Sequence, residues 1–227
     1  MADQDNRTGI FVDGNNLYHV LKKIGIIGIP PYNQLDHFKF VNYIRKRFKE
    51  IHGIELKEVK PEDIKYYNSV PNIKYGKEKY NKHSKFIQKL RSSGIIVHTR
   101  KLQTNKNKRI IEDKKKEIGL LDLCSKCLQI VKDNCVKCIG TLNQKEKGID
   151  ISIAIDMVSS AYNDEYDYIV LISGDSDFIP ALDLVKTLGK KPLSCFILDR
   201  SYASDLRKKF TSLFLKREEI EFNCIKK

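Results

Sequence analysis

The chain has 227 residues, 41% of them hydrophobic, which fits one packed α/β unit with an insertion and excludes an intrinsically disordered chain. Lys and Arg number 42 against 29 acids, a formal net charge of +13 that favours encounter with polyanions. No run of about twenty apolar residues offers a membrane span, and residues 1–8 lack the apolar segment of a signal peptide, so a soluble, cytoplasmic protein with no membrane partner is expected.

In chain order, residues 10–12 form a short apolar run that stops at Asp13-Gly14-Asn15-Asn16, the pattern of a strand, a tight turn and a helix cap. A helix over 16–24 follows, then a loop over 25–33 marked by Gly28, Pro30 and Pro31. Phe38, Val41, Ile44 and Phe48 recur at helical spacing and predict a helix over 36–50. Residues 64–70 read as a Tyr-rich strand closed by Pro71, 75–92 as a basic helix, and 95–97 as the start of another strand. Over 103–147 the pattern breaks into a polar, charged stretch, which reads as an insertion. Order returns with an apolar helix over 148–162, whose first turn holds Asp150. A strand over 168–172, a helix over 178–188, a strand over 193–198, a helix over 203–210 and a last strand around 220–223 complete the chain. Alternating strands and helices predict a Rossmann-like α/β/α sandwich with a mostly parallel sheet. The expected domain spans 8–200, interrupted by the 103–147 insertion, with 201–227 as a tail packed on it.

Carboxylates fall at informative places on this frame. Asp13 follows the first strand, and Asp175 and Asp177 follow the 168–172 strand within Ser173-Gly174-Asp175-Ser176-Asp177. In a parallel sheet such ends open into one crevice, where ligands bind. Asp150 is placed to face it as well. Carboxylates gathered there repel one another unless cations intervene, and an all-oxygen set suits Mg²⁺ or Mn²⁺. Each acid also has a plainer role available: Asp13 as a turn or N-cap residue, Asp150 as a complement to the helix dipole, Asp175 and Asp177 as caps of the next helix. Asp156, six positions beyond Asp150, is turned about 240° round the helix and is set aside. His19, His37, His52, His83 and His98 form no paired motif.

The basic residues crowd into 45–49, 74–91, 100–109 and 114–116, with Tyr66, Tyr67, Tyr75 and Tyr80 in the same half. Lysines neutralise phosphates and aromatic rings stack on bases, a mixture suited to single-stranded nucleic acid. Arg100, Lys101, Lys106, Lys108, Arg109 and Lys147 are the candidate contacts, with a Lys-rich but merely solvated surface as the alternative.

Three segments carry a family resemblance: Ile10-Phe11-Val12-Asp13-Gly14-Asn15-Asn16-Leu17, Lys147-Gly148-Ile149-Asp150, and Leu171-Ile172-Ser173-Gly174-Asp175-Ser176-Asp177-Phe178-Ile179-Pro180. Together and in this order they resemble the signature motifs of the NYN domain, of the PIN-like nuclease superfamily. The resemblance covers residues 8–200 apart from the insertion and implies a metal-dependent ribonuclease acting on RNA, with DNA not excluded. Asp13, Asp150, Asp175 and Asp177 fall on the family's acidic positions, Asn16 on its asparagine and Ser173 on its serine. Asn16 is then expected to orient a ligand or water, and Ser173 to bond a carboxylate or phosphate oxygen or to serve the turn alone. The implied chemistry is hydrolysis of a phosphodiester with one or two Mg²⁺ or Mn²⁺ ions. A catalytically silent RNA-binding or adaptor protein with the same fold is the second reading. Oligomeric state stays open.

Cys124-x2-Cys127 and Cys135-x2-Cys138 pair two CxxC units across seven residues, a spacing that suits one structural, four-thiolate Zn²⁺ knuckle. A redox CxxC is the rival. Cys195 reads as core packing, and Cys224 has no assigned role.

Overall fold

The computed structural model describes residues 6–26, 35–73, 76–104, 108–141, 144–145, 147–197 and 204–225. Of the side chains at 103–104, 108–111, 114–115, 135–141 and 144–145 only the backbone is described. Six parallel strands form one sheet: β1 (Thr8–Asp13), β2 (Ile64–Val70), β3 (Ile96–Lys101), β6 (Tyr168–Ile172), β7 (Lys191–Ile197) and β8 (Thr211–Leu215). Their spatial order is β3-β2-β1-β6-β7-β8. The chain builds outward from β1 through β2 to β3, returns to the other side of β1, and builds outward again. The reversal falls between β1 and β6, and there the two winding directions leave a crevice at the strands' C-terminal ends.

Both central strands are buried along their whole length, which explains their unbroken apolar runs. Successive side chains alternate between two cores. Ile10, Val12, Val170 and Ile172 face α1 (Gly14–Lys23), α2 (His37–His52), α3 (Lys77–Ser92) and α9 (Arg217–Cys224) through Leu17, Phe48, Phe86 and Ile220. Phe11, Ile169 and Leu171 face α6 (Ile149–Tyr162), α7 (Ile179–Thr187) and α8 (Ser204–Lys209) through Ile153, Met157, Leu182 and Leu206. The sheet is thus covered on both faces, the expected α/β/α sandwich. Helix ends follow local chemistry. Asp36 Oδ1 accepts the Phe38 and Lys39 N–H groups at 3.1 Å, and Gly53 closes α2 at φ 65°, a conformation that favours glycine.

Two regions depart from expectation. The strand foreseen around 220–223 is part of α9. There Ile220 and Cys224, four positions apart, share the buried face while Phe222 points outward, and the Glu219 carboxylate accepts the Lys216 N–H at 2.8 Å. The sixth strand is instead β8, which alternates exposed and buried positions as an edge strand beside β7.

The insertion is a helical hairpin, α4 (Lys108–Gly119) and α5 (Ser125–Thr141), whose base is joined by the antiparallel pair β4 (Gln103–Thr104) and β5 (Gln144–Lys145). Cys127, Cys135 and Cys138 fall within the backbone of α5, and the side chains of Cys135 and Cys138 lie outside the described residues.

Candidate active site

The register of β1 against β6 builds the site. Val12 pairs with Ile172, so Asp13 and Ser173, the next residues on each strand, leave the sheet side by side. Both are buried. The Ser173 hydroxyl donates to Asp13 Oδ2 at 3.1 Å, and the Asn16 N–H donates to Asp13 Oδ1 at 3.0 Å. Asp13 therefore caps α1, the plain role foreseen for it, and at the same time ties the first motif to the third. Two further bonds tighten the joint: the Gly174 N–H reaches Asn16 Oδ1 at 3.4 Å, and the Asp175 N–H reaches Ser173 Oγ at 3.2 Å. Asn16 and Ser173 act here as fasteners of the acidic loops.

Gly14 belongs to this joint for a steric reason. A Cβ at that position would stand 2.3 Å from Tyr66 Cε1 and 2.6 Å from the Tyr67 carbonyl oxygen, too close for any other residue. Asn15, which the sequence reading passed over, accepts the Ser69 N–H at 3.3 Å and fastens the turn to β2. The signal for it was present in the doubled asparagine of Asp13-Gly14-Asn15-Asn16, but its partner depends on the β1–β2 register.

Asp175 caps the short helical turn Ser176–Phe178 by accepting the Asp177 N–H at 2.9 Å, leaving Asp177 exposed. Asp150 sits in the first turn of α6, beyond Gly148, whose φ of 81° lets the chain turn sharply into the helix. Asp150 is exposed at its outer edge; partial burial, then the charges of Asp175 and Asp177, push its carboxyl above the usual carboxylate range. Asp150 thus lies within electrostatic reach of Asp175 and Asp177. Asp156 points elsewhere: it accepts the Tyr67 hydroxyl at 2.6 Å and lies 3.8 Å from His98 Nε2.

Among the described residues no three His, Cys, Asp or Glu side chains stand in a ready coordination shell. The four aspartates thus do not form a closed cage. They offer oxygen atoms around a crevice, which fits a hard cation that keeps several waters and takes only one or two carboxylates directly.

Of the basic candidates, Arg100 is placed best. Its Nε donates to Ser152 Oγ at 3.2 Å, at the start of α6 beside Gly148. Lys147 and Lys101 are exposed nearby in the chain at the ends of the same elements. Lys106 lies outside the described residues, as do the side chains of Lys108 and Arg109.

Comparison with family models matches the NYN domain over residues 7–215. The chain belongs to the NYN domain family. The match runs to the end of β8. Membership places the protein in the PIN-like ribonuclease superfamily, whose members are generally hydrolytic, divalent-metal-dependent nucleases. No curated protein and no solved structure gives a match. Among the described residues no helix is long and apolar enough to cross a membrane.

The raised pKa of Asp150 has a definite sign. A carboxyl that holds its proton more tightly when folded than when unfolded contributes stability at low pH, and that contribution is lost as pH rises through its folded value. At neutral pH ionised Asp150 therefore weakens the fold. Asp150→Asn is expected to raise the thermal midpoint above wild type in EDTA at pH 7. Added Mg²⁺ should raise wild type more than the variant; thermal melts with and without the ion check both signs.

Proposed function

We propose that this NYN domain protein is a metal-dependent endoribonuclease that hydrolyses phosphodiester bonds of single-stranded or structured RNA. What supports the reading is membership of the NYN family together with the β1–β6 register, which sets Asp13 beside Ser173 and the Asp175 loop, and the upward push of Asp175 and Asp177 on the Asp150 carboxyl. Asp13, Asp150, Asp175 and Asp177 hold Mg²⁺ or Mn²⁺, directly or through water. Bound there, such an ion supplies Lewis-acid polarisation of the phosphodiester and a lowered pKa for water.

The chain's own groups do the rest. Asn16 and Ser173 keep the Asp13 carboxylate from rotating, so its oxygen positions are set before substrate arrives. Arg100 and Lys147 flank the start of α6 and neutralise phosphates beside the scissile one, while the N-terminal end of α6 adds partial positive charge. The net charge of +13 draws the polyanion in, although the crevice itself is acidic. In this protein the attraction and the chemistry occupy different residues.

An RNA cleavage assay with Mg²⁺ or Mn²⁺ against EDTA tests the reading, with a DNA strand of matched sequence alongside. Asp13→Asn and Asp175→Asn should each lower cleavage by at least about a hundredfold, the scale of several kcal/mol in the barrier. Both variants should stay folded and keep RNA binding. Absence of cutting with either metal, or variants as active as wild type, leaves a silent RNA-binding protein with the same fold.

For the insertion we propose structural zinc at Cys124, Cys127, Cys135 and Cys138, which their spacing favours and which requires α5 to break between Cys127 and Cys135. Metal analysis of protein purified without chelators then gives about one zinc per chain. Its removal should change helix content measured by circular dichroism. A zinc-free preparation assigns the hairpin its continuous α5 and no metal.

A further inference from the structure

A cavity of about 420 Å³ opens where β2 and β3 end beneath α3. Helix α3 buries His83, Phe86, Ile87 and Leu90 against the sheet. Its adjacent flank carries Tyr80, Ser84, Gln88 and Arg91, spaced so that they follow one another along a single side of the helix. These four line one wall of the cavity, and Thr99 and Lys101 of β3 belong to the facing wall. The lining thus combines the Tyr80 ring, two amides (Asn72 and Gln88) and the hydroxyls of Ser84 and Thr99 with an apolar floor of Val70, Ile73 and Ile87, and Arg91 and Lys101 stand among them.

The location ties the cavity to the acidic crevice. Asp13 pairs with Tyr67 and Tyr67 with His98, so β3 lies two strand spacings, about 10 Å, from Asp13. The cavity is lined by the Val70 and Lys101 pair, three residues beyond Tyr67, about another 10 Å along the strands. Arg100 also borders the cavity, and its side chain reaches Ser152 at the start of α6, two positions from Asp150. Arg100 thus stands between the edge of the cavity and the start of α6.

We propose that the cavity is a pocket for one nucleoside of the bound strand, upstream or downstream of the phosphate at the aspartates. The inference rests on the reading of the domain as an RNA-acting nuclease and names where the strand is gripped. The chemistry of the walls favours a base over a bare phosphate: a simple anion site has no use for an aromatic ring and an amide, whereas a base stacks on the first and hydrogen-bonds to the second. Its volume lies in the range of small-ligand pockets. The comparably large cavity at the opposite end of the sheet, about 460 Å³, is acidic as well as basic: Arg7 and Lys190 are paired with Asp164 and Asp167, and Lys191 donates to the Tyr168 hydroxyl.

The test measures anisotropy of a labelled short oligoadenylate RNA in EDTA, so that cutting plays no part. Tyr80→Ala combined with Gln88→Ala should weaken binding about tenfold or more, without altering its salt dependence. Lys101→Ala should instead reduce the salt slope by about 0.7. Replacing one nucleotide at a time by an abasic unit should cost wild type about tenfold at one position, and cost the double variant nothing further there. Gln88→Ala alone, at an exposed position, and Tyr80→Phe, expected to bind as wild type, serve if the double variant does not fold. Wild-type affinity in a folded double variant, abasic losses identical in both proteins, or no RNA binding by wild type overturns the pocket. Loss of cleavage with the pocket signature intact would sink the nuclease reading alone.

Discussion

The hydrogen bond from Ser173 to Asp13 is the constraint on which the rest of this structure depends. It joins the ends of two parallel strands that are distant in sequence and adjacent in space, at the place where the winding of the sheet reverses. Both residues are buried, so a carboxylate or hydroxyl left without its partner there costs about 1–3 kcal/mol. The same bond fixes the start of α1, through the Asp13 cap, and the loop that carries Asp175. Fold and site are thereby one construction: the sheet register places the acids, and the acids' hydrogen bonds hold the loops that leave the sheet.

Placing acidic groups together works against stability, and Asp175 and Asp177 push the Asp150 carboxyl upward. Ile149 and Ile153 seat the first turns of α6 in the apolar layer and so fix where Asp150 stands. Meanwhile the positive charge sits on α3, on β3 and around the insertion, which lets the surface attract phosphates without neutralising the acids.

Much of this was legible in the amino-acid sequence, for identifiable reasons. The 64–70 and 168–172 strands and the helix of Asp150 are long enough, and apolar enough, for their periodicity to be decisive. Asp13 and Asp175 stood out in the sequence because they follow strands, and Asp150 because it opens an apolar helix. A carboxylate partner for Ser173 was foreseen, but that it is Asp13, and the bonds of Asn15 and Asn16, depend on which strand lies beside which, and partners across 158 or 160 residues leave no local trace. The C-terminal segment misled because Ile220 to Asn223 is too short to distinguish a period of 2 from one of 3.6; the Glu219 cap decided for helix. The plain roles foreseen for Asp13 and Asp175 are present: each caps a helical turn.

The central claim, that these aspartates share a captured divalent ion, is tested most directly by crystals soaked in Mn²⁺ and measured for anomalous scattering. One strong peak between Asp13, Asp150 and Asp175, absent from crystals of the Asp175→Asn protein, is the result the account predicts. A crevice empty at saturating Mn²⁺, or filled by a lysine or arginine side chain reaching in to meet the carboxylates, would contradict it.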